Sequence, residues 1–69
     1  MKITYDKQAD AMYIYLQPQK KVKETKETGV NTIVDIAADG DIIGIEILGV
    51  QEQMKKKDLE KLREEFAIV

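Results

Sequence analysis

The sequence predicts a two-layer α+β fold. One layer is an antiparallel meander of four to five strands, and the other is a C-terminal helix packed across one sheet face. Three observations predict it. Two runs rich in Ile and Val, Val30 to Ala38 and Asp41 to Leu48, flank Asp39-Gly40. Asp-Gly is a strong hairpin signal because Gly accepts φ > 0 without steric cost. Shorter alternating runs precede that hairpin, and turn residues separate them. After Val50 the period lengthens from two to that of a helix, with Leu59, Leu62 and Phe66 at i, i+3 and i+7.

Lys2 to Tyr5 alternates, with Ile3 and Tyr5 on one side, and reads as a first strand. Asp6 to Asp10 supplies turn chemistry at both ends. Ala11 to Leu16 is a second strand with Met12, Ile14 and Leu16 on one face and Tyr13 and Tyr15 on the other. Pro18 ends it, because proline has no N–H to give a ladder. Val22 to Thr28 holds two Lys-Glu-Thr units, whose close opposite charges suit a solvated edge strand that resists adding further strands.

The hairpin has two admissible registers. A two-residue type I′ turn pairs Ala38 with Asp41 and aligns Val34 and Ile36 with Ile45 and Ile43. A three-residue turn with Gly40 in a bulge instead puts Ile33 on the face of Ile43, Ile45 and Ile47. Both bury a continuous isoleucine face, and periodicity does not choose between them.

In the C-terminal segment, residues 50–66, burying each residue of the Leu59 stripe contributes about 1.5–3 kcal/mol. Met54 falls outside that stripe. Either a first helical turn ends near Lys57 and Asp58 caps a second helix, or Met54 packs separately; a break or kink is expected near Lys56 to Asp58. Ala67-Ile68-Val69 is an apolar tail that needs cover, for which a neighbouring subunit is one source.

Sixty-nine residues, of which 43% are apolar and 35% charged, suit one folded domain over 1–69, with the sheet in 1–48. A chain this short buries only about 60% of the surface its unfolded form exposes. With no Cys and no His, disulfides and structural zinc are not its supplement. Oligomerisation remains, and a homodimer is the favoured expectation. The net charge of −2, with signs interspersed, gives no broad positive field, so nucleic acid is not an expected partner. No membrane-length apolar run or signal segment is present, and the expected location is cytoplasmic.

The chain has no Ser, His, Cys or Trp. That excludes triads, an imidazole base and thiolate or imidazole metal ligands within it. The four glycines form no phosphate-cradling loop. Carboxylate chemistry is the remaining enzymatic route: Asp35 and Glu46 share a face diagonally in the type I′ register and point to opposite faces in the bulged one. Against that stands the plainer role of polar residues on the less buried side of a hairpin. Asp39 and Asp41 read as turn residues, Tyr5, Tyr13 and Tyr15 as core or interface aromatics. Lys55-Lys56-Lys57, with Lys20-Lys21, reads as a solvated face. No residue is assigned a catalytic, cofactor-binding or metal-ligating role, and no cofactor is expected.

Three strings in order, Met1-Lys2-Ile3-Thr4-Tyr5-Asp6, Ala9-Asp10-Ala11-Met12-Tyr13-Ile14 and Asp39 to Leu48 with its Gly-Ile-Glu-Ile-Leu, carry a resemblance. Over Met1 to about Gln53 the chain resembles the prokaryotic family known as domain of unknown function 2283, and from Met54 onward it departs from that pattern. The resemblance implies a small stand-alone protein without an established activity. Some members are suspected antitoxins. From the missing catalytic residue types, the small core and apolar material on both sheet faces, the expected function is a non-catalytic interaction module that associates with itself. The alternative is an antitoxin-like partner that occludes a small basic toxin; a carboxylate enzyme and a nucleic-acid binder rank lower.

Overall fold

The computed structural model describes residues 2–66 and 68. Five strands precede two helices: β1 (Lys2–Asp6), β2 (Ala11–Tyr15), β3 (Glu24–Glu27), β4 (Thr32–Ile36), β5 (Ile42–Leu48), α1 (Val50–Gln53) and α2 (Lys56–Phe66). The fold class is the α+β one the sequence predicts. All neighbours are antiparallel, in the order β1-β2-β5-β4-β3. The last three strands form a meander, and the β1–β2 hairpin pairs onto the free side of β5.

This order obliges the connection from β2 to β3 to pass the ends of β5 and β4. It is tied down as it goes. The Leu16 and Gln17 amides both donate to the Ile43 carbonyl at 2.9 Å, and the Lys23 amide donates to that of Ile36 at 2.8 Å. Lys20 Nζ reaches Asp39 at 2.7 Å and Asp41 at 2.5 Å. Those carboxylates hold the ammonium's pKa above its ordinary value, and the ammonium holds the Asp39 carboxyl below its own. The two acids of the turn thus also anchor the crossing loop.

The hairpin combines both admissible registers. Its loop is the three-residue one: the Ala37 amide donates to Asp41 (2.9 Å), the Gly40 amide to Ala37 (3.0 Å), and Gly40 takes φ 90°. A bulge at Asp35/Ile36 then absorbs the extra residue. Beyond it Val34 faces Ile45 and Thr32 faces Ile47, the alignment of the two-residue alternative.

The helices pack on the face that carries Ile3, Met12, Ile14 and Ile47. Ile3, Met12, Val50, Leu59 and Ile68 form the buried cluster, with Tyr5, Met54 and Leu62 against it. The break between helices falls at Met54, whose backbone is extended (φ −137°, ψ 133°), two residues before the expected Lys56 to Asp58. Asp58 lies inside the first turn of α2 and is not its cap. The stripe fades outward: Leu59 is buried, Leu62 half-buried and Phe66 exposed. Ile68 is covered by its own chain's core; Ala67 and Val69 lie outside the described residues. β3 is exposed at all four positions, as an edge of alternating charge is expected to be. No helix among the described residues is long and apolar enough to cross a membrane.

Candidate functional site

Pairing across the sheet fixes what the face away from the helices displays. One row runs Lys2, Tyr15, Gly44, Asp35, Thr25; the next runs Thr4, Tyr13, Glu46, Ile33, Glu27. Asp35 and Glu46 therefore share this face, diagonally, as the two-residue register requires. Tyr13 stands opposite Glu46, on the other side of β5 from Asp35.

Tyr13 does not stand upright on β2. Its ring leans across β5, lying where a side chain on Gly44 would be: a Cβ there would meet the Tyr13 Oη at 2.5 Å and its Cε1 at 2.6 Å. The hydroxyl passes over that strand to donate to Asp35 Oδ2 at 2.5 Å. Thr25 Oγ1, on edge strand β3, donates to Asp35 Oδ1 at 2.7 Å. One brace thus spans four strands. Partial burial first, then the hydrogen bond to the Asp35 carboxylate, push the Tyr13 phenol up to about 12. Tyr15 packs beside it, ring centroids 4.4 Å apart, and Lys2 Nζ sits 5.5 Å from the Tyr15 centroid, within cation–π range. Gly44 was not singled out by the sequence; the signal was a glycine inside a strand, which marks close approach.

A second constellation lies on the helix side. Asp10, in the left-handed region at φ 50°, ends the β1–β2 turn, which Asp6 opens by accepting from the amides of Gln8 (2.9 Å) and Ala9 (3.2 Å). The Asp10 carboxylate accepts from Tyr5 Oη at 2.6 Å and from the Gln51 amide, while its carbonyl accepts from the Val50 amide. Gln51 Nε2 donates to Tyr5 Oη at 3.3 Å. The turn, the edge strand and α1 are knotted at one point, and the hydrogen bond to Asp10 raises the Tyr5 pKa.

Beside that knot opens a cleft of about 470 Å³, walled by Tyr5 and Gln51 and floored by the buried Leu59. Lys7 from the turn and Lys56, Glu60 and Arg63 from α2 line its mouth. Of the Lys55-Lys56-Lys57 run, Lys56 alone lines it; Lys20 is spent on the hairpin turn. Among the described residues, no three acidic side chains gather in a metal-holding arrangement.

Fold and faces define a small α+β protein whose five-stranded sheet carries helices on one side and a braced tyrosine surface on the other. The chain belongs to the family described as protein of unknown function (DUF2283), which matches residues 2–51. No curated protein and no solved structure matches it. The matched span ends in α1, so it includes the tyrosine face and the Asp10 knot and leaves out α2.

Proposed function

We propose that this protein is a non-catalytic interaction module that associates with a second copy of itself through the tyrosine face. The observation that carries the reading is surplus surface. The chain exposes 5125 Å², whereas a compact monomer of 7.9 kDa exposes about 4,400 Å². Its radius of gyration is 12.5 Å, against about 11 Å for a compact chain of this length. Seven apolar residues are buried among those described, a small core for a domain with no cross-link to supplement it. Cover for such a surface has to be present whenever the chain is, and a second copy satisfies that by construction.

The tyrosine face suits this use. Tyr13, Tyr15 and Ile33 are half-buried and lie on braced strands, so they lose little side-chain freedom on docking. Both Asp35 oxygens accept protein hydrogen bonds, which favours a structural over a proton-transferring role.

Light scattering and thermal melts over a concentration series test the proposal. A dimer is expected at micromolar concentration, with Tm rising by about 5 °C per tenfold increase in concentration. Ile33→Lys is expected to give a folded monomer. A wild-type monomer with a concentration-independent Tm overturns the proposal, as does a monomer that leaves its native host bound to a different small protein.

A further inference from the structure

The cleft beside the Asp10 knot concentrates charge of one sign in a chain of the other. Lys7, Lys56 and Arg63 set against Glu60 leave a surplus of two positive charges at its mouth, while the whole chain carries −2. Glu60 is the one acid among the lining residues, and the Asp10 carboxylate beside the cleft is already engaged by Tyr5 and the Gln51 amide. The ion pairs among the described residues involve Lys20 and Lys26, so these three cations are not neutralised by carboxylates there. Arg63 and Tyr5 line the same cleft. Leu59 and the Tyr5 ring give the same space an apolar floor and side.

A cleft of this size with an apolar body and a few charged groups in its lining has the make-up of a small-molecule site. We infer that it binds a compact organic dianion of the phosphate-monoester class, with the phosphate held by Lys7, Lys56 and Arg63 and the organic part against Leu59 and Tyr5. Two unneutralised charges match a group that carries about −1.5 to −2 at neutral pH. A guanidinium fork and two ammonium groups supply the donors that three phosphate oxygens accept. A monocarboxylate leaves one of those charges uncompensated. Because α2 and the turn hold the cleft on the helix side, the inference stands whether or not the tyrosine face pairs with a copy.

The test is a titration of the ¹⁵N-labelled full chain, at low ionic strength, with phenyl phosphate and, separately, benzoate. Phenyl phosphate is expected to cause saturable shifts confined to the amides of the β1–β2 turn, Gln51 and the first two turns of α2. Benzoate is expected to bind at least about tenfold more weakly, and Lys7→Gln with Arg63→Gln to weaken phenyl phosphate by about tenfold or more. Lys56→Gln alone is expected to weaken it measurably, and Lys23→Gln, beside the far edge strand, to leave it unchanged. Shifts that do not saturate or that spread over the surface lysines, equal binding of benzoate, or an unaffected double variant each overturn the inference.

Discussion

Substituting Gly44 by alanine tests whether the tyrosine brace is a structural unit. Elsewhere in a strand this change stabilises, because glycine costs about 0.5–1 kcal/mol relative to alanine. Here the added methyl would lie 2.5–2.7 Å from Oη, Cε1 and Cζ of Tyr13, well inside van der Waals contact. The ring has to lift, and its hydroxyl then leaves Asp35. A hydrogen bond to a charged acceptor contributes about 1.5–3 kcal/mol. Offsetting the alanine gain against that loss leaves a net destabilisation of about 1–2 kcal/mol, or about 5–10 °C in Tm for a chain this small. The assay is a double-mutant cycle by urea unfolding at one protein concentration: wild type, Gly44→Ala, Tyr13→Ala and the pair. With the ring removed, Gly44→Ala is expected to reverse sign and stabilise by about 0.5 kcal/mol. An alanine effect of the same sign and size in both backgrounds would refute the argument, because the cost would then not come from Tyr13.

Two further outcomes follow from the same geometry. The Tyr13 phenol titrates at about 12 when folded and 10.0 unfolded; its folded pKa is the raised one, so the stability it contributes is complete below pH 10 and is lost as pH climbs towards 12. Two units correspond to about 2.7 kcal/mol at full strength, which solvent at the ring edge screens to ~1 kcal/mol; the difference between wild type and Tyr13→Phe in alkaline unfolding, with an absorbance titration of the phenolate, reads it. Asp10→Ala removes the acceptor of Tyr5 and of the Gln51 amide and places alanine at φ 50°, so a loss of about 1–3 kcal/mol is expected, with hydrogen exchange accelerating first at Val50 and Gln51; uniform acceleration across the sheet would show that the knot is not local.

Strand positions and the fold class were legible because they rest on period and turn chemistry, which are local. Asp39-Gly40 announced its hairpin, and the Lys-Glu-Thr doublet its exposed edge. The register was half legible: the turn and the strand body obey different alternatives, and the bulge that reconciles them at Asp35/Ile36 depends on both strands at once. The strand order was not legible either, since nothing local to Leu16 or Lys23 says that the chain passes the end of the hairpin before β3 begins. Lys20 illustrates the reason: its partners are 19 and 21 residues away. The helix break lies earlier than the Leu59 stripe implies, because the extended backbone of Met54 ends α1 at the point where its side chain packs against the core.

The two surfaces also differ in how their charged groups are employed. On the tyrosine face, Asp35 faces both its neighbours' hydroxyls, and Gly44 lets the ring that reaches it lie flat. The Asp35 carboxylate is thereby spent on the protein's own hydroxyls, so the proposed association through this face rests on area and shape around the two tyrosines. In the cleft the reverse holds: Lys7, Lys56 and Arg63 line it with Glu60 as the one acid among the lining residues, over a small apolar floor. What joins the two is β1, which puts Thr4 on the tyrosine face and Tyr5 in the cleft wall. A strand transmits little between its faces unless it shifts register, and β1 is pinned at its end by Asp10. The proposed occupancy of the cleft and the proposed association through the tyrosine face are therefore separable: Ile33→Lys is expected to abolish association and leave phenyl phosphate binding unchanged, and Lys7→Gln with Arg63→Gln to weaken that binding and leave association unchanged.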